Sequence, residues 1–165
     1  MKIAIGVQVS LDNSTWYKLS DHSRSPIQIG YEPIETSQRM ASGKLRKYVI
    51  ANKKKISTDW QNLPSIDSNV VDYSAGGHGA AWMKSFYEGN VFLPVYVKLI
   101  YAKETIASYN AVPVDSTYSD SFRTTGDIFQ AYMTSFTYDI QKRMMTSSTN
   151  TGYDYVNVKI EFTEI

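Results

Sequence analysis

Apolar and polar side chains alternate along the segment YDYVNVKIEFTE, close to the end of the chain. Val156, Val158 and Ile160 fall on one side of this pattern, and Asn157 and Lys159 fall between them on the other. A period of two residues is the spacing of a β-strand with one buried face. The segment therefore predicts a strand that lays one face on a core.

Two further segments show the same period. FLPVYVKLIY predicts a strand that begins near Val95, because Pro94 is acceptable at a strand start but not in the interior of a central strand. FQAYMTSFTYDIQKR also alternates, but its first part is apolar on both faces, with Phe129, Ala131 and Met133 on one of them. We expect both faces of this strand to be covered.

A short helix is predicted within YSAGGHGAAWMKSFYEGN. Trp82 and Phe86 stand four residues apart, as neighbours on one helix face do, and Gly89 suits the left-handed residue that ends many helices. Residues 104–127 are rich in Ser, Thr and Asp and contain Pro113 and Gly126, a composition typical of a long loop. We therefore expect a single domain over residues 1–165 that is mainly β, a β-sandwich or barrel-like fold with one short flanking α-helix.

The composition of the chain does not single out an active site. There is no cysteine, and the only histidines, His22 and His78, do not have the spacing of metal ligands. The glycines of AGGHGA lack the residues that complete a phosphate-binding loop. We expect no catalytic, cofactor-binding or metal-binding residues, and we do not expect an enzyme. The net charge of +1 gives no overall reason for a polyanionic partner, and no segment has the apolar length of a membrane helix.

Positive charge is instead concentrated in RMASGKLRKYVIANKKKISTDWQNLP, residues 39–64. The pattern predicts a strand, a turn and a second strand, with the hairpin tip at residues 52–55. Lysines on an edge strand oppose aggregation, but the apolar residues among them, such as Leu45, Tyr48 and Ile50, indicate that the strands are also covered. The candidate interface residues are seven cations and three apolar residues: Arg39, Lys44, Arg46, Lys47, Lys53, Lys54, Lys55, Phe129, Ala131 and Met133.

Four segments together carry a family resemblance: QRMASGKLRKYVIANKKKISTDWQNLP, GGHGAAWMKSFYEGN, TTGDIFQAYMTSFTYDIQKR and GYDYVNVKIEFTEI. From about residue 35 to its end, the chain resembles the tail-tube (major tail) proteins of long-tailed bacteriophages. The resemblance implies a structural virion protein that self-assembles into stacked, hexameric rings and meets other phage tail proteins. It also implies that DNA crosses the lumen during ejection without sequence-specific binding, and that the protein is made in the host cytoplasm and resides in the tail.

Physical reasoning adds an expectation about the cations. If all seven faced the lumen of such a ring, DNA would bind them by counterion release and its passage would slow. We therefore expect the tip at 52–55 to face a neighbouring subunit or ring, where Asp115, Asp120 or Glu161 could meet it.

The sequence leaves two alternative functions open. One is another ring-forming tail component, such as a terminator, distal-tail or baseplate protein. The other is a monomeric carbohydrate-binding β-sandwich that uses its many aromatic side chains as a platform.

Overall fold

The computed structural model describes residues 4–101, 128–145 and 152–165. The predicted loop at 104–127 lies outside these ranges. The described part of the chain confirms a mainly β fold with one short α-helix. Its elements are β1 (Ala4–Ser10), β2 (Tyr17–Leu19), β3 (Gln28–Arg39), β4 (Leu45–Pro64), β5 (Gly77–His78), α1 (Ala80–Asn90), β6 (Val95–Tyr101), β7 (Ile128–Met145) and β8 (Gly152–Glu164), with short 3₁₀ turns at Asp67–Asn69 and Tyr73–Ala75.

The eight strands form one open sheet in the order β3-β4-β8-β7-β6-β1-β2-β5. All neighbouring strands are antiparallel except β2 and β5, which are parallel. The sheet curls, because the chain that follows β2 returns to β4: Arg24 forms a β-bridge with Trp60. The indole Nε1 of Trp60 donates a hydrogen bond to the carbonyl oxygen of Ser20, at 2.6 Å. The curled sheet thereby encloses its core from two sides.

The core lies on the inner face of the curl. Trp60 and Phe162 are among its largest fully buried side chains, and Met83 of α1 covers it. Burial of this apolar surface, at roughly 25 cal/mol per Å², is the main driving force for folding. The buried apolar residues are Val7, Val9, Leu19, Ile56, Trp60, Leu63, Val70, Ala80, Met83, Val95, Val97, Leu99, Phe129, Ala131, Met133, Val156, Val158, Ile160 and Phe162.

The three alternating segments are strands, as predicted, and correspond to β8, β6 and β7. In β8, Val156, Val158 and Ile160 are buried while Asn157 is half-buried and Lys159 is exposed. β6 begins at Val95, directly after Pro94, and Val95 is fully buried. The period of two in the sequence thus identified both the strands and their buried faces.

The predicted helix is α1, but its ends differ from the prediction. Trp82 and Phe86 stack with ring centroids 5.0 Å apart, as their spacing predicted. Gly89 lies inside the helix rather than ending it, and the residue after Asn90, Val91, keeps helical backbone angles. The turn therefore continues past the glycine, and no left-handed residue ends this helix.

The prediction of a hairpin tip at residues 52–55 is wrong. β4 runs through this region as one strand of 20 residues, and the turn lies earlier, between Arg39 and Leu45. Gly43 makes the turn with φ of +81°, a left-handed conformation that glycine adopts at little cost. The amide of Gly43 donates to the carbonyl of Met40, and the amide of Met40 donates to the carbonyl of Lys44, both at 2.8 Å. The three consecutive lysines thus lie in the middle of a strand.

Candidate self-assembly surface

The hairpin of β3 and β4 projects beyond the rest of the sheet. β4 pairs with β8 only from Lys55 onward, so residues 45–54 of β4 pair with β3 alone. Every residue of β3 is exposed, and so is every residue of β4 from Leu45 to Ile50. We call residues 34–50 the arm. It is a two-stranded ribbon without a core on either face.

The arm and the adjoining residues 28–33 of β3 carry large apolar side chains that are exposed to solvent. Tyr48 is 71% exposed and Ile50 67%, and the cross-strand register places them on a ribbon that nothing else in the described chain covers. Large apolar side chains grouped on an exposed element commonly mark a contact site. The exposed apolar residues are Ile29, Tyr31, Ile34, Met40, Leu45, Tyr48, Val49 and Ile50.

The register of β3 and β4 distributes the candidate cations over both faces of the ribbon. Lys54 and Ile56, two residues apart, share the core-side face, and Lys54 Nζ lies 5.2 Å from the ring centroid of Phe129. A register shift after Ile34 changes the alternation of β4, so Lys47 also falls on the core-side face. Arg39, Lys47 and Lys54 share this face; Arg46, Lys53 and Lys55 lie on the opposite one; and Lys44 is in the turn. The seven cations therefore cannot all face one partner or one lumen.

Several of these cations already have partners within one copy. Lys47 pairs with Glu35 across the ribbon. The Nζ of Lys53 donates to the carbonyl oxygen of Ile165. Arg39 donates to the carbonyl of Gly43 at 3.0 Å. Among the described residues, Lys44, Arg46 and Lys55 have neither an ion pair nor a side-chain hydrogen bond, and these three remain available to a neighbour.

Two long strand edges are open. Among the described strands, β3 is the first in the sheet and pairs only with β4. β6 pairs with β7 only at residues 128–131, because β6 begins at Val95 opposite Ala131. Within the described chain no strand therefore pairs with that edge of β7 over residues 132–145. Open edges present unpaired N–H and C=O groups and are templates for pairing with another chain.

The expected interface role of Phe129, Ala131 and Met133 needs correction. These side chains are 8%, 0% and 2% exposed and belong to the core of one copy. They supply no free apolar surface, because the curl of the sheet covers them. Further along β7, by contrast, Tyr138 and Ile140 remain 45% and 61% exposed on the same face.

The outer face of the central strands is polar. Asp59 of β4 stands opposite Lys159 of β8, and Ser57 stands opposite Glu161. Thr137 of β7 is the other cross-strand neighbour of Lys159. Acidic and basic residues alternate there with hydroxyl groups, so the centre of this face carries little net charge.

The buried polar contacts elsewhere maintain the fold. The carboxylate of Asp72 accepts hydrogen bonds from the Ser20 hydroxyl at 2.7 Å and from the Asp21 amide at 2.9 Å, and Lys18 Nζ lies 3.2 Å away. Burial alone would raise the pKa of Asp72, but these bonds and the charge of Lys18 together outweigh it and lower the pKa. This network ties β2 to the segment before β5.

A second such contact lies at the start of α1. Asp67 accepts a hydrogen bond from the amide of Gly79 at 2.7 Å and lies 2.8 Å from Nδ1 of His78. Gly79 directly precedes the helix, and a negative charge near a helix N-terminus interacts favourably with the helix dipole. The pair therefore has a structural explanation.

The described residues contain no group of three or more His, Asp or Glu that could hold a metal ion. Within the same ranges, no helix is long and apolar enough to cross a membrane. Tyr31 and Tyr48 are exposed aromatics of the β3–β4 hairpin, but they fall on opposite faces of the ribbon and so do not form one stacking platform.

These features define a class: a curled β-sheet protein with an exposed apolar arm and two open strand edges. No family model matches the chain, and no curated protein matches it. Among solved structures, the chain is similar to one described as "Tail of empty GTA particle computed with helical refinement, C6 symmetry", at 10% sequence identity. The match covers 98% of this chain and 91% of that chain, with a TM-score of 0.46. At this identity and score the likeness does not by itself indicate a shared function.

Proposed function

We propose that this chain is a structural subunit of a phage tail that self-assembles into stacked rings, six copies to a ring, and is not an enzyme. The observation that carries the proposal is the pair of open edges on β3 and β7. The tube formed by the stacked rings would conduct DNA, as the resemblance in sequence implies.

The two edges are suited to each other. β3, β4, β8 and β7 are consecutive antiparallel strands, so β3 and β7 run in opposite directions at the two sides of this four-stranded unit. If β3 of one copy lies beside β7 of the next, every pair in the extended sheet is antiparallel. Such a contact joins unlike surfaces, and repeated with a constant rotation it closes a ring.

The stagger of the strands supports closure. At one end β3 and β4 extend beyond β8, and at the other end β7 and β8 extend beyond Pro64, the last residue of β4. Strands that close into a barrel must be tilted and staggered in this way. Closure would also remove the exposed edges, which a stable protein otherwise has to protect.

The arm also favours assembly. An isolated two-stranded ribbon is marginally stable in water, and three or more strands or a covering layer are needed to stabilise it. The arm has apolar side chains on both faces, and no described residue of the same copy forms a covering layer over it. A neighbouring copy would supply that layer.

The polar outer face of β4, β8 and β7 suits the lumen of such a ring. α1 and the core occupy the other side of the sheet, so the outer face is the one free to line a channel. Its paired charges, such as Asp59 opposite Lys159, offer little net attraction to phosphates. DNA would cross such a surface without specific binding.

Assembly can be tested on the purified chain. Sedimentation velocity over a range of concentrations and negative-stain electron microscopy should reveal rings or tubes with six-fold symmetry. A chain that remains monomeric at the highest soluble concentration would contradict the proposal. The matched variant replaces Tyr138 of the open β7 segment with proline, and we expect it to remain monomeric.

A related role as a terminator, distal-tail or baseplate ring predicts the same edges. Copy number separates the two possibilities. Long tubes from the purified chain alone would support the tube subunit, whereas single rings that do not stack would support the alternative.

A further inference from the structure

An open cleft lies between α1 and the strands beneath it. Its volume is about 260 Å³, and its walls are mainly apolar. Ala81 of α1, Tyr138 and Ile140 of β7 and Val156 of β8 line it. Tyr138 and Ile140 are 45% and 61% exposed although they lie on the core side of the sheet. The helix therefore leaves part of this face without cover.

Two charged side chains line the cleft, and only one of them is paired within the described part of the chain. Lys84 has a partner, since its Nζ lies 3.0 Å from the carboxylate of Glu88. Asp154 also lines the cleft, and its carboxylate has no ion pair or hydrogen bond with any described residue. An unpaired carboxylate beside an apolar surface favours a ligand that is both apolar and cationic.

The tip of the arm, at the turn between β3 and β4, is both apolar and cationic. Leu45 is 57% exposed and Met40 42%. Lys44 and Arg46 flank Leu45, and their side chains have no ion pair or hydrogen bond among the described residues. Residues 36–48 contain four cations and no carboxylate. The tip is therefore complementary to the cleft in both hydrophobicity and charge.

The tip and the cleft lie at opposite ends of the same sheet. β4 begins at the tip with Leu45 and ends at Pro64, which is paired with Tyr155, the neighbour of Asp154. One copy therefore cannot bring them together. A second copy displaced along the strand direction, as in the next ring of a stack, would place its tip at this cleft.

We propose that the arm tip of one copy docks in the cleft of a copy in the adjacent ring. Leu45 and Met40 would lie against Tyr138 and Ile140, and a cation beside Leu45 would pair with Asp154. This inference rests on the proposed self-assembly and assigns the contact that stacks the rings.

The absence of cysteine makes the contact directly testable. The double variant Leu45→Cys with Ile140→Cys is assembled and then oxidised with copper phenanthroline, and the products are separated on a non-reducing gel. We expect a ladder of disulfide-linked chains that continues beyond the number of copies in one ring. The matched control, Leu45→Cys with Phe92→Cys, should give no ladder, because Phe92 is 90% exposed but does not line the cleft.

Each alternative has its own outcome. A ladder that stops at the ring size would place the tip in a lateral neighbour and overturn the proposal. Tubes in the microscope without cross-linking would overturn the docking while leaving self-assembly intact. If neither this variant nor the unmodified chain forms rings or tubes, both proposals fail.

A charge variant tests the same contact without cysteine. Asp154→Lys should raise the concentration needed for stacking by roughly two- to tenfold, the range expected for loss of an exposed ion pair, while ring formation continues. The control Asp139→Lys changes an exposed carboxylate of the same hairpin on the outer face of the sheet. Equal effects of the two substitutions would contradict a specific role of Asp154.

Discussion

Gly77 has no room for a side chain. A methyl group at this position would lie 2.4 Å from a carboxylate oxygen of Asp72. Gly77→Ala should therefore displace Asp72 from Ser20 and lower the free energy of unfolding by about 1–3 kcal/mol. Gly89→Ala is the matched control, because it lies in α1 with nothing within 4 Å, and it should instead stabilise the protein by about 0.5–1 kcal/mol. Urea denaturation at low protein concentration measures both values.

The lowered pKa of Asp72 predicts how stability depends on acid. A carboxylate whose pKa falls on folding stabilises the native state fully above its ordinary value of 3.8, and that contribution is lost as pH falls through the lowered value. Asp72→Asn should cost about 1 kcal/mol at pH 7. The difference between variant and parent should shrink below pH 3.8.

The readout is urea denaturation at pH 7 and in steps below pH 4. Asp139→Asn, an exposed carboxylate outside the network, is the control and should show little change at any pH. A constant difference between Asp72→Asn and the parent across the acid range would show that the carboxylate charge is not involved.

The turn of the arm depends on one glycine. Gly43→Ala places a β-carbon in a left-handed conformation, at a cost of about 1–2 kcal/mol. Because the arm makes no core contact, the free energy of unfolding should change little while the concentration needed for assembly rises. Gly43→Asn should recover most of the loss, since asparagine tolerates this conformation. Light scattering during assembly distinguishes the two variants.

Sequence patterns identified strands with one buried face, such as β8 with Val158 and Ile160, because burial fixes which residues must be apolar. They did not locate the turn at Gly43. A strand of 20 residues is longer than most strands, so the lysines at 53–55 suggested a tip. The interface also could not be predicted. Within the described part of the chain, the edge of β7 is open because β6 begins at Val95. This depends on how two distant segments pair.

At the scale of the whole molecule, assembly should protect specific backbone amides. Hydrogen exchange of the dilute chain should be fast in the arm, because an isolated two-stranded ribbon opens readily. It should also be fast along the outward amides of residues 132–145, which have no strand partner among the described residues. In the assembled form both should slow by orders of magnitude, whereas the amides that pair β1 with β6 should change little. Protection of the arm in the dilute chain would mean that one copy is sufficient to order it.

In the proposed ring, each subunit contributes one edge, β3, to one neighbour and a different edge, β7, to the other, and the two edges are not interchangeable. A copy whose β7 edge is disrupted and whose β3 edge is intact would still add to the end of a growing arc. The next copy could then not bind to it. If the proposed six-copy ring is correct, such a copy would terminate the arc, and a small fraction of it should prevent most rings from closing. The test is to mix increasing fractions of the Tyr138→Pro chain with unmodified subunits and to count closed rings by electron microscopy. The number of closed rings should fall much faster than the fraction of unmodified subunits.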